Sequence, residues 1–129
     1  MAHNAIGWYR AQLGDHSEAI EACRQGLALL REFDGRHGEA ATWDTLGYAQ
    51  HRAGRPAEAV PSYRHALALY REFRDRYYEA DPLGHLADAL LDAGEAAQAR
   101  RSWQAALRIL DDLGHPDAER VRRRLVETG

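Results

Sequence analysis

A chain of 129 residues with 17 basic and 20 acidic side chains has a formal net charge of −3, a near balance that argues against a dedicated nucleic-acid binder. All 17 basic residues are arginine, which removes the lysine of a phosphate-binding loop, the Schiff-base lysine and the lysine general base. A single cysteine, Cys23, excludes an internal disulfide framework, and the chain has neither a signal-peptide h-region nor an apolar run near the ~20 residues of a membrane span, so a reducing, cytoplasmic setting is the expectation.

The first expected helix is Ala2–Leu13, where Ala5, Ile6, Tyr9 and Leu13 recur at helical spacing. Gly14-Asp15 makes the turn, and Ser17 with Glu18 and Glu21 opens a second helix, since a hydroxyl and early acids suit its unpaired N–H groups. Ala19, Cys23, Gly26, Leu27, Leu30 and Phe33 form its buried stripe, which places Cys23 as a structural thiol. This helix should end near Asp34-Gly35, glycine tolerating a left-handed closing residue. In the next helix Trp43, Leu46, Gly47 and Gln50 line one face, with Gly47 letting a neighbour approach closely. Ala53-Gly54-Arg55 turns and Pro56 suits the start of the following helix. Ala59, Tyr63, Ala66, Leu67, Tyr70 and Phe73 make the partner stripe, and Pro61 calls for a slight kink or a late start. At Pro82 either Asp81-Pro82 begins a shortened helix or a helix from about Tyr77 bends, the second being preferred. Leu83, Leu86, Ala87 and Leu90 form its stripe; Ala99, Trp103, Ala106, Leu107, Leu110 and Leu113 form that of the next helix. Gly114-His115-Pro116 breaks the chain before a last helix, about 117–127, with Val121, Leu125 and Val126 on one side.

Shifting the chain by 40 residues superimposes Gly14, Gly54 and Gly94, then Ala19, Ala59 and Ala99, then Leu27, Leu67 and Leu107, then Ile6, Leu46 and Leu86, and the acidic closers Glu39, Glu79 and Glu119. Cys23, Tyr63 and Trp103 share one register position. A fixed period of this length means stacked supersecondary units, each burying its apolar face only against its neighbours. The expected architecture is all-α: one array over residues 1–129 with repeats of about 1–35, 36–75 and 76–115, closed by the last helix as a polar cap.

Trp43, Leu46-Gly47, Gly54, Ala59, Tyr63 and Ala66-Leu67 resemble the pattern of the tetratricopeptide repeat family, and all three copies carry it. The resemblance implies a right-handed superhelical solenoid of three antiparallel helix pairs plus a C-terminal capping helix. The period departs from the family's usual 34, and Arg71 stands where the closing proline normally falls. The phrases ALALLREFDGRHGEAATWDTLGYA and ALALYREFRDRYYEA look most like the longer C-terminal repeats of bacterial antibiotic-regulatory transcriptional regulators, which carry an NB-ARC-type nucleotide switch upstream. That likeness implies a sensor or regulatory portion of a larger regulator, with a protein or peptide partner, or the upstream domains of its own parent chain, on the array. The register puts Met1 inside a first helix with Ala5, Ile6, Trp8, Tyr9 and Leu13 too apolar for a free end. The chain is therefore expected to be an excerpt, or alternatively to pair with a second copy as a homodimer through that uncapped repeat.

Family geometry implies a concave groove lined by the first helix of each pair. Carried over, it places Asn4, Trp8 and Gln12, then Asp44, Tyr48, His51 and Arg52, then Asp81, His85, Asp88 and Asp92 on that surface. Two aromatics and four aspartates read as a trough for an extended or helical segment of some basic character; the plainer reading is an ordinary solvated helix face. The lysine–asparagine–arginine clamp that some relatives use on chaperone tails is missing, its positions holding Asn4, Trp8, Thr45, Asp81 and His85, and four aspartates would repel a carboxylate. Seven scattered histidines show no metal-ligand spacing, no catalytic serine arrangement or phosphate loop is present, and no cofactor or enzymatic activity is expected. Arg120, Arg122, Arg123 and Arg124, with Arg100 and Arg101, could touch phosphate, but cationic residues late in a cap also serve the helix dipole and solubility, so direct nucleic-acid contact is not expected.

Overall fold

The computed structural model describes residues 16–32, 35–73 and 76–128, and among them every regular element is an α-helix. They are α1 (His16–Glu32), α2 (Arg36–Arg52), α3 (Pro56–Glu72), α4 (Tyr77–Asp92), α5 (Ala96–Asp112) and α6 (Ala118–Thr128). The expected helix Ala2–Leu13 and the stripe residue Phe33 lie outside the described residues. Alanine, leucine, arginine and glutamate, all strong helix formers, fill most of these segments.

Helix ends are set by glycine more than by side-chain caps. The residues that precede α2, α3, α4 and α5 make no side-chain capping bond. Gly54, Gly94 and Gly114 instead take positive φ of 80°, 86° and 63°. After each, the next N–H reaches back five residues: Arg55 to the Gln50 carbonyl at 3.0 Å, Glu95 to Leu90 at 2.8 Å and His115 to Leu110 at 2.8 Å. The glycine N–H groups bond His51, Leu91 and Asp111. This is the Schellman closure, which only a residue without Cβ enters freely. Gly35 departs from expectation. Gly35 has φ of −83°, outside the left-handed region, and serves the start of α2, its carbonyl accepting the Glu39 N–H at 2.8 Å.

Both awkward prolines lie inside continuous helices. α3 opens at Pro56 and runs through exposed Pro61, so there is no late start; α4 opens at Tyr77 and runs through fully buried Pro82. Each forgoes one backbone bond to the preceding turn. In the register of Pro82 stands Thr42, also fully buried, whose hydroxyl donates to the Gly38 carbonyl at 2.7 Å.

Short connections make successive helices antiparallel neighbours. Arg36 at the start of α2 meets Glu72 at the end of α3 at 3.0 Å, and 40 residues on Arg76 meets Asp112 at the same 3.0 Å. First helices α2 and α4 also touch, which sets the first helices in one row and α1, α3 and α5 in another. The core has two parts. One joins Ala19, Ile20, Cys23 and Leu27 of α1 to Leu46 and Ala49 of α2; the other runs from Tyr63 and Leu67 of α3 through Trp103 of α5 to Val121 of α6. They meet at the α2–α3 seam, where Gly47 and Gln50 contribute no apolar side chain.

Two expected core residues are corrected. Leu113 is 54% exposed and Val126 81% exposed. Phe73, the counterpart of Leu113, is covered by His37 stacked at 3.6 Å, whereas Tyr77, the counterpart of His37, turns toward His115 and leaves Leu113 bare. Val126 sits five residues past buried Val121, well round the helix from it, while Leu125 stays against the core.

Candidate functional site

The candidate groove residues fall in two rows. Asp44, Tyr48, His51 and Arg52 share one face of α2; Asp81, His85, Asp88 and Asp92 share one face of α4, the side chains recurring every three or four positions. Asn4, Trp8 and Gln12 lie outside the described residues.

The two rows are stitched to each other and to the cap. His85 Nδ1 lies 3.1 Å from Asp44 Oδ1, and His51 Nε2 lies 2.6 Å from Asp92 Oδ2, both pairs spanning α2 and α4. Arg124 of α6 donates to Asp88 Oδ1 at 3.2 Å and lies 4.8 Å over the Trp103 ring, a cation–π contact. Arg52 stands 6.0 Å from the centre of the Tyr48 ring. Three of the four candidate-groove aspartates are thus held by a histidine or arginine of a neighbouring helix, and exposed Asp81 has no such pair among the described residues. Burial pulls the pKa of His85 down, but the hydrogen bond to the Asp44 carboxylate and the charges of Asp44, Asp81 and Asp88 outweigh it and leave it raised above the usual histidine value.

A small cleft of about 110 Å³ opens beside this row, with Asp81, His85 and Asp88 on one side, Arg120 and Arg124 on the other and Trp103 below. It is well under the roughly 300 Å³ at which small-molecule sites begin, so it has the size of a notch for a partner's side chain. In the sequence Arg124 belongs to an arginine cluster that serves the helix dipole and solubility. The signal that places it in the groove is the period: Arg124 is 80 residues after Asp44. Its neighbours are also engaged. Arg122 pairs with Asp111 and Glu119, and Arg100 donates to the Leu125 carbonyl at 2.6 Å, closing the end of α6.

Cys23 is fully buried and its thiol is pushed up to about 12 by that burial, which makes it inert as a nucleophile. Among the described residues no cluster of three or more His, Cys, Asp or Glu is placed to hold a metal, and no helix is long and apolar enough to cross a membrane.

The tetratricopeptide repeat family model matches residues 1–72, more than half of the chain. The chain belongs to the tetratricopeptide repeat family. No curated protein matches it by sequence. Among solved structures, the TPR-like repeats of a Podosopora anserina protein described as a kinesin light chain match at TM-score 0.84 and 19% identity, over 98% of this chain and 64% of that one. The Yersinia enterocolitica type III secretion translocator chaperone SycD matches at 0.77 and 20%, over 98% and 81%. The TPR domain of Arabidopsis FLU matches at 0.78 and 17%, over 86% and 93%. The chain spans less than two thirds of the first of these. At such identities the likeness carries the fold: an all-helical TPR solenoid of antiparallel helix pairs. TPR solenoids in general mediate protein–protein interaction, and the TPR unit here has a period of 40.

Proposed function

We propose that this TPR chain is a protein-interaction module that seats an extended or helical peptide segment along α2, α4 and α6. The observation that carries the reading is the notch over Trp103, where Asp81, without an ion-pair partner among the described residues, stands beside the Asp88–Arg124 pair. Such a surface suits an apolar side chain flanked by a basic one: the apolar group fills the notch and the base meets Asp81. Tyr48 and Arg52 extend the surface along α2. Residues 1–129 act as one array in this reading, with Asn4, Trp8 and Gln12 continuing the trough.

The finer context, a sensor portion of a bacterial transcriptional regulator whose upstream domains respond to groove occupancy, rests on the lengthened repeats and on the two phrases quoted above. Peptide selection against the whole chain tests the binding reading. Enriched sequences should pair Arg or Lys with Leu-like residues, and Asp81→Asn and Tyr48→Ala should each weaken the best of them about 5- to 30-fold, as losing 1–2 kcal/mol implies. Peptides that bind both variants as well as the parent would refute it.

A further inference from the structure

The space between α1 and α3, over α2, and the space between α3 and α5, over α4, are equivalent in the 40-residue register, and they differ. Over α2 there is a cleft of about 440 Å³, inside the usual range of small-molecule sites. Trp43, Leu46 and Gln50 make its floor, Arg24 and Leu27 one wall, and Ser62 and His65 the other, with His65 stacked on Trp43 at 4.4 Å. Over α4 the corresponding floor is Leu83, Leu86 and Leu90, all buried. There Arg64 donates to Gln98 at 2.9 Å from wall to wall. The matching residues over α2 are Arg24 and Glu58, of opposite charge and better suited to pair. They do not pair: Glu58 turns to Arg55 at 3.9 Å, and Arg24 has no hydrogen-bond or ion-pair partner among the described residues.

Gln50 is the second anomaly. It is 7% exposed. Its Oε1 accepts the Ser62 hydroxyl at 2.6 Å, while its amide N–H groups have no partner among the described residues and border the cleft. Buried donors without acceptors are costly and uncommon. The fold does not need this one: in the next repeat Leu90 fills the position, and Ser102, in place of Ser62, donates to the Leu83 carbonyl at 2.7 Å. Among the described residues the cleft therefore presents an apolar floor, a donor without an acceptor within it and a cation without a partner at its rim.

The geometry points to a small-molecule site between α1 and α3 for an apolar acyl compound carrying a carbonyl and a carboxylate. The acyl chain lies over Leu27, Trp43 and Leu46, the carbonyl accepts the Gln50 amide, and Arg24 meets the carboxylate; Glu58, held by Arg55, bounds the site on the other side. This site is separate from the peptide groove on the first helices and does not depend on it. The test is an NMR titration of the full chain with N-octanoylglycine. Saturable shifts of the Gln50 side-chain amide are expected. Gln50→Leu should weaken binding about tenfold without loss of thermal stability, and Arg24→Gln should weaken it about threefold. An N-octanoylglycine affinity unchanged in Gln50→Leu overturns the assignment, as does a titration of the parent chain in which the Gln50 amide does not move or the shifts gather at Asp81, His85 and Asp88.

Discussion

The α2–α3 pair and the α4–α5 pair occupy the same frame 40 residues apart, yet their seams are built differently. In the first, Gly47 lies under the ring of Tyr63: a Cβ at Gly47 would come within 2.7–2.9 Å of three ring atoms, and Tyr63 is 1% exposed and has nowhere to go. In the second, Ala87 and Trp103 share the corresponding positions and both are buried in a continuous apolar cluster. Gln50 against Leu90 completes the contrast. A shared backbone period fixes where helices lie, while one or two positions per seam decide whether that seam is an oily joint or a chemically equipped one.

The largest expected effect comes from removing the ring buried against Gly47 in the α2–α3 seam. Tyr63→Ala should cost about 3–5 kcal/mol in urea unfolding; a cost below about 1 kcal/mol would mean the α2–α3 seam contributes little to cohesion. Gly47→Ala should cost about 1–3 kcal/mol by overpacking, and the cost should largely vanish in a Tyr63→Leu background, which a double-mutant cycle reads directly. Equal costs in both backgrounds would locate the clash elsewhere. Gln50→Leu, which makes the first seam like the second, should raise stability by up to about 1 kcal/mol as a buried unmet donor disappears and Ser62 becomes free to donate to the Trp43 carbonyl; a clear loss would show the glutamine to be structural.

The smallest effect concerns the cross-row pair. The pKa of His85 is raised in the folded chain, so its pairing with Asp44 stabilises the fold fully below the ordinary histidine value of about 6.5 and fades as pH rises through the raised value. His85 is partly exposed and the effect is screened, within about 0–1 kcal/mol. Unfolding midpoints compared on either side of that range should show a pH slope that shrinks in His85→Gln; an unchanged slope would assign it to other groups.

Much of the frame was legible in the sequence because helical stripes and turn glycines act locally. Gly54 and Gly94 mark turns through their own backbone freedom, and Ala59, Tyr63 and Leu67 mark a face through spacing alone. Leu113 and Val126 misled because apolar character was read without its cover: the stack of His37 on Phe73 is not repeated at Tyr77 and Leu113. The groove is half legible. The register puts Asp44, His85 and Asp92 on first helices, but whether an aspartate is free for a partner depends on which cation a neighbouring helix brings. Asp88 met Arg124, a residue whose part shows only when the period is carried into the cap. Gln50 looked like one more stripe residue; its isolation became visible only beside Ser62 and the open cleft.

The ion pair Arg36–Glu72 and its successor Arg76–Asp112 close within one unit each, and the cross-row pairs reach no further than the adjoining first helix. Among the described residues these ties are therefore of finite reach, and the helices form a chain of links in which none of them spans two joints. A spliced second copy of residues 36–75 would keep the backbone register but set Asp44 against Thr45 and His51 against Arg52 at one junction, so growth by whole units needs those two positions rewritten.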